Sequence, residues 1–305
     1  MRNAIKPVSS TGTAPSVAQI RTHSPHCTLA CAAALLLIAG CEGTFTNDLA
    51  TAAPADPDIA EVRVGLLGLE FQASGGGTQT LDFRDPESID LLDLADGDPL
   101  RMFTDETLDA GTYTGVRLLF DEDVDATVVD VTGSEFPLTF VDGAYAGLDF
   151  AIEDDERSSH AYTLTLDLRQ SLAFDDGADE YTLTPVVRAV KSDRTADVTG
   201  SVNVDCDDDE SLERDGAVYL FTGRDVTPDD LDGAGVEPYA TTRVTVATDA
   251  DEVRYTLRHL EPGDYTLAVT CRGDVEELGR DDDLRFRGAR NVALESDEST
   301  EVDFD

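Results

Sequence analysis

No tryptophan occurs in the 305 residues, aromatics make up 7%, and lysine appears only at Lys6 and Lys191. The shortage of aromatics counts against a sugar site built on stacking. The shortage of lysine excludes a Gly-x-x-x-x-Gly-Lys-Ser/Thr phosphate loop, so Gly75–Gly77 reads as a hairpin tip. No apolar run reaches the roughly 20 residues needed to span a bilayer. Acid is absent from the first 40 residues and abundant afterwards: 22 Lys+Arg face 64 Asp+Glu, a net charge of −42. Such a chain is repelled by nucleic acid and by anionic lipid surfaces, and neither is expected as a partner. At 41% hydrophobic it can still bury a core. Its length suggests two domains.

Arg2, Lys6 and Arg21 precede an apolar run of 14 residues from Cys27 to Gly40. Basic flank and short run together read as a secretory signal. The run ends Ile38-Ala39-Gly40-Cys41, which resembles the bacterial lipobox. That resemblance implies cleavage before Cys41, a diacylglycerol on its sulfur, and the membrane as a partner through that lipid. The alternative is an ordinary signal with a chance cysteine. The stretch ahead of the apolar run is long for a signal, which leaves Met1 open as the true start. Glu42, where lipoproteins retained at the inner membrane resemble one another in carrying Asp, favours the outer membrane or cell surface.

Cys27 and Cys31 leave with the signal and Cys41 takes lipid, so Cys206 and Cys271 remain. In an oxidising compartment an even count suggests a disulfide between them, the alternative being two buried free thiols. Two cysteines make a poor zinc site, and no metal or cofactor is expected. Residues 41–58, rich in Ala, Pro and Asp, read as a flexible tether.

From Glu61 onward the apolar period is two. Val62, Val64 and Leu66 alternate, then the phase moves to Leu67, Leu69 and Phe71, which predicts a bulge near Gly65–Gly68. Short strands separated by Asp/Gly turns continue to about residue 192, with one helix expected over Glu87–Ala95 behind Pro86. Seven more strands fill about 110 residues from 196 to 305, the size of an immunoglobulin-like or transthyretin-like sandwich. The expected fold is all-β: two consecutive antiparallel β-sandwich domains, 59–192 and 196–305, after a signal peptide (1–40) and tether (41–58).

The halves share a pattern. Leu108-Asp109-Ala110-Gly111-Thr112-Tyr113-Thr114 is echoed by Leu260-Glu261-Pro262-Gly263-Asp264-Tyr265-Thr266. It reads as a strand end, a turn on a glycine with access to positive φ, and a re-entering tyrosine whose hydroxyl needs a partner. Ile89-Asp90-Leu91-Leu92, Ala110-Gly111-Thr112-Tyr113 with Arg117 and Leu118, Leu164-Thr165-Leu166-Asp167 and Leu183-Thr184-Pro185-Val186-Val187 occur in the order seen in domain-of-unknown-function family 4382, which residues 59–192 resemble. The second half is similar to the regulatory-type sandwiches of carboxypeptidases. These resemblances imply a lipid-anchored, exported β protein with no catalytic residues to carry over.

Catalytic readings find little support. His160 and His259 are the mature chain's histidines, and neither stands near a nucleophile elbow. A glycosidase-type pair involving Glu153 is not distinguishable among 64 acids. The clusters Asp205–Glu210, Asp229–Gly233 and Asp281–Asp283 invite calcium, but Pro228 stands where an EF-hand needs its first ligand. Solvated acidic loops are the simpler reading.

The 44 Asp, 20 Glu and 20 Arg are spread along both halves. Self-repulsion of this size is relieved where salt shortens the Debye length, which predicts a halophilic source. The function expected is a non-enzymatic, lipid-anchored envelope protein acting as a binding or structural module, its partner an envelope protein or polymer. The alternatives are a carbohydrate-active or metal-dependent envelope enzyme, or a calcium-stabilised adhesin.

Overall fold

The computed structural model describes residues 43–95 (for 84–87 the backbone alone), 98–121, 124–153, 158–207, 210–247 and 252–305. The expected signal peptide, Cys41 and its lipid lie outside the described residues. The first half comprises β1 (Gly43–Ala52), β2 (Ile59–Ala73), β3 (Thr78–Asp90), β4 (Leu100–Leu108), β5 (Gly111–Phe120), β6 (Thr127–Asp130), β7 (Glu135–Phe140), β8 (Ala146–Ile152), β9 (Ser159–Asp167), β10 (Leu172–Asp175), β11 (Glu180–Leu183) and β12 (Val187–Lys191). The second comprises β13 (Ala196–Ser201), β14 (Ala217–Thr222), β15 (Ala240–Arg243), β16 (Thr245–Val246), β17 (Val253–Leu260), β18 (Gly263–Thr270), β19 (Arg287–Leu294) and β20 (Ser299–Glu301).

In the first half a sheet ordered β12-β9-β1-β4 faces a larger one ordered β10-β11-β7-β6-β2-β5-β8, with β3 on the other edge of β2. Phe45 of β1 meets Phe71 of β2 edge-to-face at 4.8 Å, joining the two layers through a core that includes Leu49, Val64, Leu69 and Leu164. In the second half β16-β17-β13-β20 faces β15-β14-β18-β19 over a core of Val198, Leu220, Tyr255 and Leu267. Most pairings are antiparallel; β1–β9, β7–β11 and β13–β20 run parallel.

Two expectations need correction. Residues 43–52, read as tether, form β1 in the interior of a sheet, paired with β4 on one side and β9 on the other. Only Phe45 and Leu49 are large and apolar there, with Thr46, Asn47 and Asp48 between them and small residues or threonines on either side. The segment therefore resembles a linker in composition, although each large side chain lands on the core face. Pro54 and Pro57 follow the strand and stop it. The helix expected over 87–95 is instead the end of β3, whose Ser88, Ile89 and Asp90 pair with Gly65, Val64 and Arg63, followed by a short 3-10 turn at Leu92–Leu94. Ladder hydrogen bonds outweigh a weak local helical preference. The Asp90 carboxylate closes the junction by accepting from the backbone N–H of Val62 at 2.9 Å and of Leu92 at 3.0 Å.

The predicted bulge in β2 is present, with register shifts between Leu66 and Gly68 against both β3 and β5. Gly68 is obligatory there, because a Cβ would lie 2.0 Å from the Leu81 carbonyl oxygen. The echoed tyrosines also act alike. Tyr113 donates to the Asp109 carbonyl at 2.8 Å and Tyr265 to the Glu261 carbonyl at 2.7 Å, each four residues back. The turn does not use the expected positive φ at Gly111 or Gly263; in the second copy the left-handed residue is His259 (φ 55°), four residues ahead of the glycine. Gly263 matters for space, since a Cβ would press on the Tyr265 ring at 3.3 Å.

Candidate functional site

The described residues fall within one compact unit, 40–305, in which buried polar contacts link the two sandwiches. β14 is buried on both faces: Val218 and Leu220 enter the sandwich core, while Ala217, Tyr219 and Phe221 face outward under Leu284. Tyr219 thereby reaches the other half. Arg169, in the turn behind β9, is 2% exposed. Its Nη1 donates to the Tyr219 hydroxyl at 3.1 Å and to the Gly273 carbonyl at 2.5 Å. The Tyr219 hydroxyl donates in turn to Glu276 Oε2, while Glu276 Oε1 accepts from the Leu231 N–H at 2.8 Å. Burial raises the Glu276 carboxyl above its ordinary pKa and drives the Tyr219 hydroxyl well above its own. Beside this chain, fully buried Asp167 accepts from Thr241 Oγ1 at 3.3 Å, from Gln170 Nε2 at 3.1 Å and from Arg188 Nη1 at 3.4 Å. The Arg188 guanidinium in turn lies 5.4 Å over the Tyr239 ring.

A cleft of about 330 Å³ opens next to the joint, with walls from both sandwiches. Its lining holds Arg188, Arg243, Arg258 and His259 together with six threonines, and among the described residues no aspartate or glutamate. Asp167 pairs with Arg188 from behind the wall, and Asp48 and Asp197 lie close enough to His259 to act on its charge. His259 sits in the left-handed region, a conformation that costs a bulky residue on the order of 1–3 kcal/mol. Asp197 holds it there by accepting its backbone N–H at 3.0 Å. Burial, helped by the neighbouring arginines, lowers the His259 pKa. Of the lining residues, Thr165 and Arg188 each hold a buried atom, Oγ1 and Nε, without a hydrogen-bond partner among the described residues.

The residues singled out in the sequence fall elsewhere. Cys206 and Cys271 form a disulfide, with Cα atoms 5.9 Å apart. It bridges the chain beyond β13 to the end of β18, which lie in opposite sheets. Glu210 stands beside both sulfurs, and its carboxylate is shared by Arg272, Arg285 and Arg287. The loops 229–233 and 281–283 meet, but their carboxylates serve backbone donors. Asp230 accepts from the Asp282 N–H, Asp282 from the Glu277 N–H at 2.8 Å, and Asp232 from the Ala234 N–H at 2.7 Å. Asp230 is 3% exposed, so the picture of wholly solvated acidic loops fails at this residue. Glu153 is exposed beyond β8. His160 stacks on Phe150 at 4.4 Å, and burial lowers its pKa. His259 alone among these residues reaches the cleft.

The arrangement defines an all-β protein of two joined sandwiches. Residues 42–185 match the model of the family Domain of unknown function (DUF4382). The match starts earlier than the resemblance read over 59–192, because it includes β1, and it stops before β12. No curated protein matches the chain. Among solved structures, the minor pilin GBS52 of Streptococcus agalactiae aligns at 12% identity over 86% of this chain and 94% of that one, with a TM-score of 0.20. A proposed adhesin from Bacteroides ovatus aligns at 11% identity over 91% and 99%, with a TM-score of 0.19. A fimbrial protein from the same organism aligns at 9% identity over 87% of this chain and 49% of its own, also with a TM-score of 0.19. At such scores the likenesses carry no argument, and the fold assignment stands on the sheets themselves. Among the described residues no helix is long and apolar enough to cross a membrane.

Proposed function

We propose that this protein is a non-enzymatic, lipid-anchored component of the cell envelope, and that its two sandwiches act as one structural or binding module in high salt. The buried joint supports this most directly. Arg169 Nη1 bonds across the joint to the Tyr219 hydroxyl and the Gly273 carbonyl, and Tyr219 is backed by Glu276, which holds one sandwich against the other as a load-transmitting or ligand-presenting body requires. The lipobox-like Ile38–Cys41 supports anchoring, and the Cys206–Cys271 disulfide is in keeping with an oxidising compartment. Partners in this reading are the membrane, through lipid on Cys41, and an envelope protein or polymer, with no nucleic acid.

The test is the mass of the native protein extracted from cells. The expected product begins at Cys41 and carries two or three acyl chains, and Cys41→Ser abolishes both cleavage and acylation. A soluble, unacylated native protein beginning at Met1 overturns the reading.

A further inference from the structure

β1 and β9 run parallel through the first sandwich, Thr44 beside Ser159 at one end and Ala52 beside Asp167 at the other. Ten residues at about 3.3 Å each set those ends roughly 30 Å apart. The bonds across the joint, from Arg169, Asp167 and Arg188, leave from the Ala52 half. The lipobox-like cysteine precedes the other end. Because β1 begins at Gly43, where it pairs with Leu108, two peptide links join Cys41 to the folded sheet, a reach of at most about 7 Å. The turns gathered around Gly43 are Ser74–Gly77 and Asp109–Ala110, together with the end of β8. The Ser74 N–H donates to the Thr112 carbonyl at 2.8 Å, the Asp109 N–H to Gln79 Oε1 at 3.0 Å, and Gly111 pairs with Ile152. Ser74 through Thr78 are exposed. They lie within Phe71–Leu81, the longest uncharged run after Cys41. Of the three glycines only Gly76 takes a left-handed φ, 84°, while a Cβ on Gly75 or Gly77 would meet no atom within 4 Å. Among the described residues, then, nothing requires bare backbone at those two positions.

The geometry points to this end of the first sandwich, led by the 74–77 hairpin tip, as a face that lies directly on the zwitterionic headgroups of the bilayer holding the acyl chains of Cys41, with the second sandwich carried away from the membrane. This orientation rests on the acylation of Cys41 proposed above. A flexible tether would let any face of the module meet the lipid, whereas a link of two residues leaves the domain no room to turn over. The tip suits the contact. Backbone without side chains approaches a surface closely. The hydroxyls of Ser74 and Thr78 can donate to headgroup phosphate and ester oxygens. An uncharged tip also brings little of the net charge of −42 against the lipid. The described turn residues at this end hold two acids, Asp109 and Glu153, and no cation that would draw anionic lipid, which is why the headgroup that fits is zwitterionic.

Fluorescence quenching tests it, on the acylated mature protein in phosphatidylcholine vesicles and concentrated salt, with nitroxide-labelled headgroups as the quencher. Gly75→Cys at the tip and Val236→Cys, exposed in the second sandwich, each carry the fluorophore. The label at 75 is expected to lose most of its fluorescence and the label at 236 none. Inserting about twelve Gly/Ser residues between Glu42 and Gly43, an added reach of roughly 20 Å, should restore the signal at 75 with the melting temperature unchanged. An unquenched label at 75, equal quenching at both sites, or quenching at 75 that survives the inserted linker overturns the inference. Those three results are read on protein whose acyl mass has been verified, so they leave the envelope reading standing; a native protein without acyl chains overturns both.

Discussion

The Arg169 guanidinium lies 5.5 Å over the Tyr219 ring and donates to its hydroxyl at 3.1 Å, tying the turn behind β9 to the outward face of β14. The two residues stand 50 positions apart and belong to different sandwiches. Removing the cation leaves the Gly273 carbonyl without this donor and takes from the Tyr219 hydroxyl the hydrogen bond it accepts. Loss of one partner from a buried charged network costs about 3–5 kcal/mol. Arg169→Met is therefore expected to lower stability by that order and to split urea unfolding into two transitions. A single transition at the wild-type midpoint refutes the joint's importance.

The disulfide closes a loop of 65 residues. Loop-closure entropy assigns such a bond about 4 kcal/mol. The paired variant Cys206→Ala, Cys271→Ala should lose stability of that order, mostly from the second sandwich, where both cysteines lie. An unchanged urea midpoint in reduced protein counts against the assignment.

Glu276 predicts a pH dependence. Burial raises its carboxyl above the ordinary 4.5, so the folded state holds a proton that the unfolded chain releases. The group's contribution is complete below pH 4.5 and is lost as the pH rises through the raised value. Glu276→Gln keeps an acceptor for Tyr219 and Leu231 but removes this titration. The stability difference, variant minus wild type, should grow with pH across that window, and a constant difference disproves the account.

Salt provides the widest test. The exposed pairs, such as Arg285 with Asp207 at 2.9 Å, contribute little and weaken as salt rises. Repulsion at −42 acts over the whole surface, and the Debye length falls from about 10 Å at 0.1 M to about 3 Å at 1 M. The net expectation is a melting temperature that climbs between about 0.1 and 3 M NaCl. A flat or falling curve removes the halophilic assignment.

Chain chemistry alone indicated that strands dominate, where β2 bends and that Tyr113 and Tyr265 play matching parts, and it suggested the Cys206–Cys271 pair, which the fold brings together. Each of these is local: a period of two, a glycine pair, an even cysteine count, a repeated heptapeptide. Folding in three dimensions decided the rest. β1 escaped notice because Phe45 and Leu49 are its only large apolar residues, and they become a core strand only between β4 and β9. The segment before Leu92 became strand, not helix, because β2 was there to pair with it. The cleft was invisible for the same reason. Arg188, Arg243 and Arg258 are three arginines scattered among 20, and a long-range packing of two sandwiches is what gathers them on one wall.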